Sequence, residues 1–294
     1  MGTMVYPLVV GVDGSDAGFL ALDWAVDEAG LHTLPLRLVH ASRWERYEDA
    51  ALGMSLKRPA REVRADNIVG AAVERANQRN ADIDVSTQIL GDDPETVLLR
   101  EADYASAVIV GSCGRGAFAG LLLGSVGLAV AARARCPVIV VRGDRAGLAG
   151  THERVLLGVG DSAKGSEAVR FAFREAAARR STLDAVRAWR CPAHDTADHP
   201  MVAGSPERYH EEWASAVLDE ALEETAGEYP TVRVRRVTAE GPAHKVLTRR
   251  SAAADLLVLG AQRRDSHLVL QLGRVAHTAL HHAECPVAVV PQPA

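Results

Sequence analysis

Aromatic residues are scarce in this chain: Phe, Trp and Tyr make up 4% of its 294 residues, so its cores must be built from Val, Leu and Ala. Cysteine is scarcer. Cys113, Cys136, Cys191 and Cys285 form no CxxC pair, so neither a disulfide framework nor a zinc knuckle is indicated. An excess of positive charge is missing as well. A net charge of -5 and a pI near 6.1 give no electrostatic reason to expect a nucleic-acid partner. One uncharged run, Gly116 to Ala132, is long enough to raise a membrane span. Arg115 and Arg133 bracket it, and Gly116, Gly120, Gly124, Ser125 and Gly127 interrupt it. The repeat described next accounts for these glycines, and no membrane partner is expected. The first Arg or Lys is Arg37, so the basic segment of a secretory signal is lacking and a cytoplasmic location is the expectation. What is present is ordinary for a globular chain. Hydrophobic residues at 48% and charged residues at 24% exclude disorder and low complexity.

The length fits two domains of about 150 residues each, and the chain repeats itself at that scale. Gly11-Val12-Asp13-Gly14-Ser15 recurs as Gly158-Val159-Gly160-Asp161-Ser162, offset by 147 residues. Val108-Ile109-Val110-Gly111 recurs as Leu257-Val258-Leu259-Gly260, and Cys136-Pro137-Val138 as Cys285-Pro286-Val287, both offset by 149. Offsets this close across the whole length indicate a duplicated domain. The predicted domains are 1–143 and 152–294, with Gly143–Glu153 reading as a linker.

Each half alternates strand and helix. In the first, short apolar runs predict strands at Leu8–Val12, Leu36–Ala41, Val85–Leu90, Ala107–Val110 and Pro137–Val141. Helical spacing covers Ser15–Gly30, with Ala17, Leu20, Ala21, Trp24 and Ala25 on one stripe, then Arg61–Asn80, Pro94–Tyr104 and Ser125–Arg135. In the second half, strands are predicted near Arg154–Val159, Thr182–Ala188, Val232–Thr238, Leu256–Leu259 and Pro286–Val290. Strands separated by helices force a parallel sheet with right-handed crossovers, so the fold class is α/β with two tandem doubly wound five-stranded sheets. The ligand of such a sheet sits outside the C-terminal strand ends, where the strand order reverses.

Two sequences fall there in the first half. Asp13-Gly14-Ser15 follows the first strand, and Asp13 can accept hydrogen bonds from sugar hydroxyls. The fourth strand leads into a glycine-rich stretch, with Gly111, Gly114, Gly116, Gly120 and Gly124 before Ser125. Glycines at a strand-to-helix turn let backbone amides approach a phosphate with no Cβ in the way. Ser125 heads the next helix, so its hydroxyl and the helix's free N–H groups face the same anion. Together these describe a nucleotide pocket.

The spacing Gly-x2-Gly-x9-Gly-Ser at Gly111, Gly114, Gly124 and Ser125, with Asp13 and the Cys136-Pro137-Val138 strand, resembles a tandem universal stress protein of the ATP-binding type. The resemblance covers both halves and implies a Rossmann-like strand order of 3-2-1-4-5 in each. It implies ATP as ligand, with Mg2+ as the divalent ion. Asp13 would contact the ribose and adenine side and Ala41 the base. Gly111, Gly114 and Gly124 would open the loop, and Ser125 with the Val126 and Gly127 backbone would hold the phosphates. Arg115 is not part of the pattern, but it is placed to add a charge-assisted phosphate contact. In the resembled family the last strands meet across a two-fold, which implies that the two halves pair within one chain and leave another surface for a homodimer.

The second half departs from the pattern. Gly260 and Gly273 keep the spacing, yet Arg263 replaces the second glycine, Arg274 replaces the serine, and Gly160 stands where Asp13 did. A side chain at a left-handed Gly114 position costs on the order of 1 kcal/mol. The expectation is one competent nucleotide site in the first half and a degenerate one, filled in by the arginines, in the second. Other candidates are weaker. His277 and His281 are four apart, a metal-sharing spacing, but they lack a third ligand at a defined spacing and read as a solvated helix face. Cys136 and Cys285 read as small apolar packing, and Cys113 as oxidisable if exposed. Trp44–Pro59 and Arg190–Pro206 read as loops over the strand ends.

The expected function is a nucleotide-dependent regulator in a stress response, whose occupancy is read by a regulatory protein of unknown identity. A weak ATP hydrolase or nucleotide transferase is the enzymatic alternative. It normally wants a lysine on the phosphates, but GxxxxGK[ST] is absent and Lys57, Lys164 and Lys245 lie outside the loop. The third reading is a non-catalytic dimerisation module built on the edge strands Val138–Val141 and Val287–Val290.

Overall fold

A computed structural model describes residues 6–42, 60–113, 123–161, 166–191, 206–262 and 272–292. They fall into two compact units that meet in sequence between Arg142 and Gly143.

The first unit holds strands β1 (Leu8–Gly11), β2 (Leu36–Ala41), β3 (Val85–Leu90), β4 (Ala107–Gly111) and β5 (Val138–Val141). Its helices are α1 (Asp16–His32), α2 (Ala60–Arg79), α3 (Pro94–Ala102) and α4 (Ser125–Arg133). All pairings are parallel, in the order β3-β2-β1-β4-β5, with Leu8 opposite Leu36 and Val10 opposite Ile109. Burial follows strand position. Leu8, Val9 and Val10 of β1 and Ala107 to Val110 of β4 are buried, because helices cover both faces of these central strands. Edge strand β3 instead exposes Ser86, Thr87 and Ile89. Its polar residues are those of a strand that faces water.

Helix α1 starts where Ser15 accepts a hydrogen bond from the Gly18 N–H at 3.1 Å, and it ends on Thr33 in the left-handed conformation. Its buried face is wider than the predicted stripe. Ala21, Trp24 and Ala25 are buried as expected, but Leu22, Val26 and Ala29 join them while Leu20 is 47% exposed. The reason is that α1 packs on β1, β4 and β5 and also against α2, so two arcs of its surface are covered. Bidentate pairs from Arg75 to Asp23 and from Arg79 to Asp27 close the α1–α2 contact at the surface.

The second unit contains α5 (Arg145–Leu148), β6 (Arg154–Gly158), α6 (Glu167–Arg179), β7 (Thr182–Trp189) and α7 (Pro206–Glu228). It continues with β8 (Val234–Glu240), α8 (Ala243–Ser251), β9 (Leu256–Gln262), α9 (Arg274–His282) and β10 (Val287–Gln292). Its strands pair in parallel as β8-β7-β6-β9-β10, the same winding as the first unit. The Gly143–Glu153 stretch carries more structure than the sequence indicates: Gly143 sits at φ 108, and Asp144 caps the one-turn helix α5. Among the described residues no helix is long and apolar enough to cross a membrane.

Candidate functional site

The chain builds β1, β2 and β3 outward on one side, then crosses back to lay β4 against β1. The crossovers diverge at this point, and a cleft of about 450 Å³ opens at the C-terminal strand ends. Asp13 stands on one wall, after β1. Gly111, at the end of β4, and Gly124, Ser125, Val126 and Gly127, at the start of α4, form the opposite wall. Ala41 closes the β2 side. Seven of the nine residues expected at the site therefore meet in one cleft; Gly114 and Arg115 lie outside the described residues.

Each wall has a local cause. Asp13 Oδ1 accepts from the Ser15 N–H at 2.9 Å and from the Ser15 hydroxyl at 2.6 Å, with Gly14 at φ 72 turning the chain between them. Gly111 is needed for close approach: a Cβ there would lie 2.5 Å from the Ala17 carbonyl oxygen, inside the first turn of α1. Ser125 is the first residue of α4, as expected; the N-cap is Gly124, and no side chain caps this helix. Its first-turn N–H groups have no partner within the helix, and the residues carrying them line the cleft. Uncapped amides and the positive end of the helix dipole together favour an anion.

Sequence reasoning missed other parts of the wall. Val39 and His40 of β2 and Pro94 and Leu98 of α3 line the same cleft. His40 Nδ1 lies 2.7 Å from the Val12 carbonyl, which can only accept, so Nδ1 is the donor of this bond. The strand-end rule that located Asp13 also points to the end of β2. The contribution of α3 has no signal in the sequence.

A model of the universal stress protein family matches residues 4–142 and again 151–291. The chain belongs to the universal stress protein family. A universal stress protein of Mycobacterium tuberculosis is 33% identical over 295 residues, covering 97% of each chain. One from Mycolicibacterium smegmatis is 32% identical over 298 residues, again with 97% of each covered. Among solved structures, a universal stress protein from Archaeoglobus fulgidus superposes with a TM-score of 0.71 at 17% identity, over 97% of this chain and 98% of that one.

In this universal stress protein the second unit has its own cleft at the corresponding strand ends, about 600 Å³ in volume. Of the two arginines expected to fill it, Arg274 lines the cleft at the start of α9, and Arg263 lies outside the described residues. The chemistry of the walls is what differs. Arg187, at the β7 position that corresponds to His40, donates to the Val159 carbonyl at 3.3 Å, pairs with Asp161 and stacks over the Trp213 ring. The carboxylate nearest the lost Asp13 position is thus engaged by a guanidinium.

Among the remaining candidates, the His277 and His281 rings lie 4.6 Å apart but gain no third ligand among the described residues. Trp44–Pro59 and most of Arg190–Pro206 lie outside the described residues. Cys136 and Cys285 are buried, as expected, and Cys113 lines the first cleft half-buried. Burial pushes the Cys136 thiol up to about 12. At pH 8 such a buried group is almost wholly in its thiol form. A thiol whose value rises on folding adds stability below its unfolded value, and that stability is lost as pH climbs towards the folded one. Brief iodoacetamide treatment of the native protein at pH 8, read by peptide mass spectrometry, is expected to label Cys113 and spare Cys136. Labelling of Cys136 at the same rate would show that the strand start opens.

Proposed function

We propose that the cleft of the first unit binds an adenine nucleotide, ATP accompanied by Mg2+, and that its occupancy is a regulatory signal in a stress response. One observation carries this reading: the uncapped N-terminus of α4 and the Asp13 carboxylate line one open cleft, an anion cradle and a hydroxyl acceptor in the same space. ATP needs both, for its phosphates and for its ribose. Gly114 and Arg115 belong to the phosphate loop in this reading. The domains are taken as 1–143, nucleotide-binding, and 152–294, a degenerate copy that keeps an anion cradle at α9 but has Gly160 in place of the ribose reader. The protein would work in the cytoplasm as a homodimer whose state a regulatory protein reads.

Thermal unfolding with and without ATP and Mg2+ tests this. Ligand at a hundred times its dissociation constant stabilises the folded state by about 2.7 kcal/mol, which raises the midpoint of a unit this size by about 5–11 °C. ATP should also slow alkylation of Cys113, which shares the cleft. An unchanged midpoint would favour the pairing module instead.

A further inference from the structure

We infer that Gly18 is a positioning residue for the nucleotide: its missing side chain leaves the space in which the Asp13 carboxylate sits. The inference rests on the nucleotide reading of the first cleft. Gly18 is the third residue of α1, a position where alanine favours the helix and glycine weakens it. Backbone conformation does not demand glycine there, since among the described residues the positive-φ glycines are Gly14, Gly143, Gly150 and Gly241. Core packing does not demand it either. The atoms nearest a Cβ built on Gly18 are Asp13 Oδ1 at 2.8 Å, Ser15 Oγ at 3.3 Å and the Asp13 nitrogen at 3.7 Å. The space belongs to Asp13 and its cap.

The hydrogen bonds close on the same point. The Gly18 N–H donates to Ser15 Oγ, and the Ser15 hydroxyl and N–H both donate to Asp13 Oδ1. The carboxylate is thereby held against the first turn of α1, and both Asp13 and Gly18 line the cleft. A side chain at position 18 would push out the end of a movable carboxylate rather than the helix, so the fold survives while the acceptor moves.

The second unit provides an internal comparison. Ser166 caps α6 in the same way, accepting from the N–H of the third residue at 3.3 Å, but that residue is Val169. Gly160 stands where the first unit has Asp13, and the neighbouring Asp161 pairs with Arg187. The carboxylate and the glycine that accommodates it are present together in one unit and absent together from the other.

The test is a cycle of four full-length proteins: wild type, Gly18→Ala, Asp13→Ala and the double variant. Each is titrated calorimetrically with ATP and Mg2+ and melted without ligand. Gly18→Ala is expected to weaken ATP about tenfold, the loss of one bond to a charged group, and the double variant to bind like Asp13→Ala alone. Without ligand, Gly18→Ala should raise the midpoint more in the Asp13→Ala background than in the wild type. Several results would overturn the inference: wild-type affinity in Gly18→Ala with equal midpoint gains in both backgrounds, further weakening in the double variant, or failure of Gly18→Ala to fold. A wild type that takes no ATP would refute the nucleotide reading, while the ligand-free midpoints would still decide whether Gly18 makes room for Asp13.

Discussion

Asp13→Ala is expected to lower the affinity of the first cleft for ATP by about tenfold to a hundredfold, with little change in the ligand-free melting midpoint. A hydrogen bond to a charged group contributes roughly 1.5–3 kcal/mol, and leaving a ribose hydroxyl unpaired in the cleft adds to the loss. Ser15, whose N–H and hydroxyl both donate to Asp13, remains the cap of α1 through its bond from the Gly18 N–H. The effect should shrink for a 2′,3′-dideoxy analogue, because the hydroxyls that Asp13 accepts from are gone. Titration calorimetry with both nucleotides measures this. Equal losses for the two would place Asp13 away from the sugar.

A large effect on stability is expected at Gly111. A Cβ there would lie 2.5 Å from the Ala17 carbonyl oxygen and 2.7 Å from its carbon. Both are backbone atoms, held in the first turn of α1, so no side chain can rotate out of the way. Strand β4 and helix α1 must separate. Overpacking of this kind costs about 1–3 kcal/mol, a fall of roughly 2–12 °C in the melting midpoint of a unit this size. The separation also widens the cleft between Asp13 and the start of α4, so ATP affinity should fall with stability. Gly260 is the matched control in the second unit. Its Cβ would meet only the ends of side chains, Gln292 at 3.3 Å and Ala168 at 3.4 Å, and Gly260→Ala should be milder. Equal midpoints for the two variants would show that the α1 turn gives way easily.

Much of this architecture is legible in the sequence because single residue types carry it. The short apolar runs of β1 and β4 read as strands buried on both faces, and the tandem repeat placed Asp13 and Gly111 at the strand ends where a doubly wound sheet opens. Features that depend on where a side chain points were not legible. Leu20 continues an apolar stripe in sequence yet faces outward, because neighbours on two sides set the buried arc of α1. His40 looks like an ordinary polar residue of a strand until its ring meets the Val12 carbonyl. Arg274 looks large enough to fill a cleft, and only its placement shows that it lines the wall of the second one. Gly18 reads as a poor helix former, and the reason for it emerges only from the position of the Asp13 carboxylate.

Titration calorimetry of the full-length chain with ATP in the presence of Mg2+ addresses the central claim most directly. The prediction is a single strong site per chain, weakened at least tenfold by Asp13→Ala. Two equivalent sites, or no heat of binding at all, would contradict it.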